Sequence, residues 1–169
     1  QQTAYTFAIV AGIIGVGLMA YQFNVLSAVL SAFSLFLYAF IYTPLKKINS
    51  IAVLVGAFPG AIPCLIGWVA ATNEISPIAS FIVDGKTYSN AGGYALFLIQ
   101  FLWQFPHFWA IAWVSHTDYS KVGFKLLPAD KGPTKFTALQ AVMYAVLMVP
   151  IGFLPNYFKI TGSGVCGWS

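Results

Sequence analysis

Arginine is absent from this 169-residue chain, and charge of either sign is scarce: eight lysines and four acids make up 7% of it, against about a quarter in a soluble domain. With 59% hydrophobic residues, that shortage excludes an ordinary water-soluble fold. The two cysteines, Cys64 in an apolar run and Cys166 in the tail, have neither zinc-ligand spacing nor a disulfide framework around them and are read as free thiols. The first apolar stretch, lacking a basic leader and a convincing cleavage site, is not expected to be a signal peptide. The chain opens on Gln1 rather than Met and is expected to be an internal fragment.

What the chain has instead is long apolar runs. A hydrocarbon core of about 30 Å needs about 20 apolar residues per helix, and five runs qualify, approximately 4–21, 25–43, 51–72, 92–115 and 138–158. Residues 1–169 therefore read as one all-α, polytopic transmembrane domain in a lipid bilayer. In so apolar a chain the net charge of +4 speaks to topology and not to a nucleic-acid partner. Lys46, Lys47, Lys121, Lys125, Lys131 and Lys135 fall in the second and fourth loops, against Lys86 in the third and Lys159 in the tail. The positive-inside rule makes those two loops, and the N-terminus with them, cytoplasmic.

Within the spans the few polar or helix-breaking residues carry the information. Ala8, Gly12, Gly15 and Gly17 in the first span permit close helix approach, and Ser27, Ser31 and Ser34 in the second are spaced for hydrogen bonds between helices. That span runs into "YTPLKK", where Pro44 is expected to break the helix just beyond Thr43 and leave two ammonium groups at the membrane surface. By themselves they are topological anchors. Pro59 and Pro63 in the third span either kink it or mark a cavity wall, and the carbonyls they free need outside donors. The loop 73–91, with Glu74, Asp84 and Lys86, is expected to form a short surface element.

Seven of the thirteen residues from Phe101 to Trp113 are Phe, Trp or His, and Gln100, Gln104 and His107 are the only strongly polar side chains deep in that span. Helical spacing puts Gln100, Gln104, His107, Ile111 and Asp118 on one stripe, His107 about 16 Å beneath Asp118 if the helix stays continuous past Pro106. Intramembrane polar groups face a bundle interior or a watery cavity; a lone histidine is also what a satisfied structural residue looks like. His116, Asp118, Lys121 and Lys125 then cluster in the fourth loop, either as a solvated topology signal or as a binding mouth.

Together "YTPLKK", "GAFPGAIPCLIGW", "FLWQFPHFWAIAW" and "DYSKVGFKLLP" resemble, in order and separation, the haem O synthase branch of the UbiA intramembrane prenyltransferases, from about Tyr5 to Pro155. The resemblance implies nine transmembrane helices around a cavity open to the cytoplasmic face and to lipid, of which about five are present. It also implies two aspartate motifs that hold Mg2+ on a prenyl diphosphate. The first has no counterpart in these residues, so the isolated chain is expected to be catalytically incomplete.

Carried over residue by residue, the resemblance makes Asp118 the second-motif magnesium or diphosphate-side carboxylate and Lys46 the partner of the diphosphate, with Lys47 and Lys121 as additional candidates. Tyr119 would orient the site; Gln104 and His107 would face substrate, His107 ahead of His116 for contact with the porphyrin or its iron. The implied reaction moves a farnesyl group from farnesyl diphosphate to a vinyl group of haem B, giving haem O, in the inner membrane of a bacterium and beside a haem A synthase or terminal oxidase. Phe101, Trp103, Phe105, Phe108, Trp109 and Trp113 would then wall an apolar chamber, though core or lipid-facing packing explains such rings equally well. Three other functions remain open: a relative that prenylates a quinone precursor, a membrane haem-binding electron-transfer subunit, and a transporter.

Overall fold

The computed structural model describes residues 2–48, 50–83, 85–121, 123, 127, 133–158 and 160. It is helical apart from one hairpin, with five helical stretches long and apolar enough to cross a membrane. The first is α1 (Gln2–Gln22). The second starts as α2 (Val25–Phe36), widens into a π-helical turn over Leu37–Tyr42 and closes as α3 (Thr43–Leu45). α4 (Ala52–Thr72) and α5 (Ala91–Val114) follow, separated by the antiparallel strands β1 (Ser80–Val83) and β2 (Lys86–Ser89). A short α6 (His116–Lys121), then α7 (Lys135–Gly152) and α8 (Leu154–Tyr157), complete the chain.

Each span packs on the next, α1 on α2, α2 on α4, α4 on α5 and α5 on α7. α1 and α7 stand at the two ends of the row, and large apolar side chains cover their outer faces, Phe7 at 75% and Val149 at 62% exposure. Lipid is the natural solvent for such a surface. The dense part is the middle: Val53 and Ala57 of α4 meet Phe105 and Trp109 of α5, with Tyr144 of α7 stacked 4.5 Å from Phe105 and set edge-on to Trp109. Four of the six chamber-wall rings named from sequence bear on this core: Phe105 and Trp109 lie in it, and Phe101 and Phe108 pack against it, whereas Trp103 and Trp113 stay about two-fifths exposed.

Polar side chains are spent on backbone groups that proline or a helix end leaves open. Pro63 has no N–H to give the Pro59 carbonyl one turn back, and Ser34 Oγ donates to that oxygen from the neighbouring span at 3.1 Å. Ser27 and Ser31, expected to bridge helices too, turn back onto Asn24 O and Ser27 O within their own segment, a bond always within reach of a helical serine. Asn24 does two jobs. Its Oδ1 caps α2 at Ser27 N (2.7 Å), and its Nδ2 donates to the Val69 and Ala70 carbonyls at the end of α4.

Two expectations fail locally. Pro44 does not end the second helix: the π turn carries the Phe40 carbonyl away from the proline ring, and the helix runs on to Leu45. The stripe joining His107 to Asp118 is also broken, because α5 passes through Pro106 intact but stops at Ser115 (φ −96, ψ 18), and Asp118 belongs to the separate helix α6. The loop 73–91 does form a small element, the β1–β2 hairpin, whose Phe81 sits between Tyr88 and Trp68.

Candidate functional site at the lysine-rich end

Antiparallel succession of the spans puts the loop after α3 and the loop after α5 on the same side of the membrane-spanning bundle. There Tyr42 lies against Gly56 of α4, so close that a Cβ at Gly56 would strike its ring. Tyr119 of α6 comes near enough to Tyr42 for the two phenols to interact electrostatically, which ties the second loop to the fourth. Tyr42 was not singled out in the sequence. The available signal was its spacing, one α-helical turn before Lys46.

Lys46 is half-buried just above Tyr42, its N–H bonded to Tyr42 O at 3.1 Å, while Lys47 is exposed. Asp118 is 80% exposed and pairs with Lys121 across 3.1 Å. An exposed pair of this kind contributes at most about 1 kcal/mol to folding. The carboxylate is therefore open to exchange its partner. His116 begins α6 and is half-buried. Lys125 and Lys131 lie outside the described residues, as does Cys166; Cys64 is a free thiol.

Deeper in α5 the two polar residues part ways. Gln104 is 3% exposed, its Nε2 donating to Ala57 O at 3.2 Å and its carboxamide pressed over Gly60, where any side chain would overlap it. His107 is exposed on the other side, stacked on Trp103 with ring centroids 4.3 Å apart and edge-on to Phe108 at 5.7 Å. Gln104 thus locks α4 to α5, and His107 with Trp103 presents a flat aromatic face.

For a divalent cation the described residues provide no cluster of three His, Cys, Asp or Glu side chains. One exposed carboxylate fits Mg2+ as a single protein ligand, since this ion commonly takes one or two carboxylates and completes its shell with phosphate oxygens and water. It does not make a cage.

The UbiA prenyltransferase family model matches residues 1–168. The chain belongs to the UbiA prenyltransferase family. It is 46% identical over 162 residues to the protoheme IX farnesyltransferase of Cytophaga hutchinsonii, covering 96% of this chain and 51% of that protein. With the Flavobacterium psychrophilum protein of the same name it shares 46% over 155 residues, 92% of this chain and 46% of the relative. The mitochondrial protoheme IX farnesyltransferase of Arabidopsis thaliana is 37% identical over 163 residues, 96% of this chain and 35% of its own length. The chain spans about half the length of the bacterial relatives it matches. No solved structure matches it. Family and fold agree: this is an integral membrane protein with an all-α, polytopic prenyltransferase architecture.

Proposed function

We propose that this chain forms part of a protoheme IX farnesyltransferase, which joins the farnesyl group of farnesyl diphosphate to a vinyl group of haem B and so makes haem O. The similarity of 46% across nearly all of this chain to relatives bearing that name carries the reading. The electrostatic proximity of Tyr42, at the end of the second span, to Tyr119 of the fourth loop supports the location of the diphosphate mouth.

In this reading Lys46 pairs with the diphosphate, a compact ammonium suited to phosphate oxygens, and Lys47 and Lys121 add positive potential beside it. Asp118, exposed and paired only loosely with Lys121, is the residue that would hold Mg2+, and Tyr119 fixes the orientation of α6. Bound there, the ion would supply Lewis acidity to the departing diphosphate. The allylic C–O bond breaks and its electron pair leaves with the diphosphate. The farnesyl C1 cation is attacked by the vinyl π bond of haem B, forming a C–C bond; water captures the resulting cation and loses one proton, giving the hydroxyethylfarnesyl group. Apolar walls keep water from the first cation, and ring faces stabilise it. His107 and Trp103 offer the porphyrin a stacking face, with His116 nearer the mouth. Gln104 serves by holding the α4 wall against α5.

The lysine-rich loops face the cytoplasm of a bacterium in this proposal, and a haem A synthase or terminal oxidase is the partner that would take the product. The experiment is product identification. Membranes carrying the chain within its complete reading frame, given haem B and farnesyl diphosphate with Mg2+, form haem O. Prenylation of a phenolic quinone precursor with no haem O replaces haem as the acceptor, and a stable bis-histidine haem spectrum without transfer replaces the enzyme by a haem carrier.

A further inference from the structure

The π turn at Leu37–Tyr42 changes which side of the second helix reaches the mouth. Ser34 faces α4, because its hydroxyl reaches Pro59 O. Eight residues on, in an uninterrupted α-helix, Tyr42 would stand about 80° away from that direction, and Ile41 would lie within about 20° of it. The structure has the opposite arrangement: Tyr42 is the residue against Gly56 of α4, and Ile41 is exposed. A wide turn absorbs one extra residue and sets everything beyond it back by about 100°, which returns Tyr42 to the α4 face. Lys46, one α-helical turn further and bonded through its N–H to Tyr42 O, is carried with it.

Two residues hold the wide turn. Thr43 sends both its backbone N–H and its Oγ1 (2.9 Å) to the Tyr38 carbonyl five residues back. Pro44 adds to this by disfavouring the ordinary alternative, since its ring crowds the Phe40 carbonyl in a tight turn and it has no N–H to give that oxygen.

We propose that Thr43 and Pro44 are positioning residues that lock a one-residue register shift, so that Tyr42 packs on α4 and Lys46 stands over it at the diphosphate mouth. The inference rests on the diphosphate reading of that mouth but not on haem as acceptor.

The test pairs removal of the wide turn with compensation for it, in the full-length protein with Cys64 and Cys166 replaced by alanine. Thr43→Val combined with Pro44→Ala lets the segment relax to an α-helix and turns Lys46 away. Deleting Phe40 in that background takes out the extra residue and restores the register without the π turn. One readout is bridging of Tyr42→Cys to Gly56→Cys by a short bifunctional thiol reagent. The other, with Tyr42 and Gly56 intact, is affinity for inorganic pyrophosphate with Mg2+. The double variant should lose the bridge and bind pyrophosphate about tenfold or more weakly, the scale of one charge-assisted contact; the Phe40 deletion should recover both, and Thr43→Ser alone should match wild type. A bridge that survives the double variant, or pyrophosphate affinity that stays low after the deletion, overturns the proposal. If the wild type bridges and binds pyrophosphate but prenylates another acceptor, only haem is displaced. If it bridges and binds no pyrophosphate, the diphosphate reading fails and takes the positioning role with it.

Discussion

The two ends of the bundle use their polar residues in opposite ways. At the hairpin end the asparagines are tied inward: Asn24 joins α2 to the last carbonyls of α4, and Asn90 accepts from Trp68 Nε1 and donates to Glu74 O and Ser76 O, while Tyr94 OH donates to Ile75 O. At the lysine-rich end Asp118 and Lys121 stand 80% and 69% exposed, and Lys47 is exposed as well. Buried, satisfied polar groups rigidify a fold. Exposed charges contribute little to it and stay available to a ligand. On the proposed reading, the contrast separates a structural end from a chemical one.

Substitutions at the two ends should therefore move different quantities. The largest effect is expected at Asp118: in the full-length enzyme Asp118→Asn should lower haem O turnover by roughly 10²–10³-fold, the range for removing one electrostatic stabiliser of a developing anion, with membrane insertion unchanged by protease mapping. Asn90→Ala should do the reverse, costing about 2–3 kcal/mol of stability for three hydrogen bonds, one of them from the indole N–H of the half-buried Trp68, while turnover per folded molecule holds. A loss of turnover greater than the loss of folded protein would erase the distinction. Asn24→Ala, which removes a cap and two donors to α4, should cost about 1–2 kcal/mol, read as a lower midpoint in thermal unfolding in detergent. Smallest is Ser34→Ala, about 0.6 kcal/mol, a typical value for one hydrogen bond between membrane helices.

Hydropathy made the five spans legible because each must match the bilayer on its own, and the lysines made the charged end legible because loops alternate sides. The second span reached Leu45 instead of residue 43, since whether Pro44 breaks a helix depends on whether the preceding turn can widen, which here involves Tyr38 and Thr43 together. The stripe from Gln100 to Asp118 failed for a related reason: continuity at Ser115 is not written in helix periodicity. Gln104 and His107 looked alike as polar residues in an apolar span. Gly60, absent a side chain on the facing helix, admits Gln104 to the interface, and His107 has Trp103 and Phe108 as its ring neighbours among the described residues. That Tyr42 comes within electrostatic range of Tyr119 required residues 77 positions apart in sequence to be brought together in space.

The most direct test labels single cysteines with an impermeant thiol reagent in sealed vesicles, using the full-length protein with Cys64 and Cys166 replaced by alanine. Lys47→Cys, Thr117→Cys and Glu74→Cys all sit at exposed positions. The account predicts that Lys47→Cys and Thr117→Cys react from one side and Glu74→Cys from the other, and that inorganic pyrophosphate with Mg2+ slows the first two and leaves the third unchanged. Labelling of Lys47→Cys and Thr117→Cys from opposite sides, or no slowing at either, would contradict a shared diphosphate mouth.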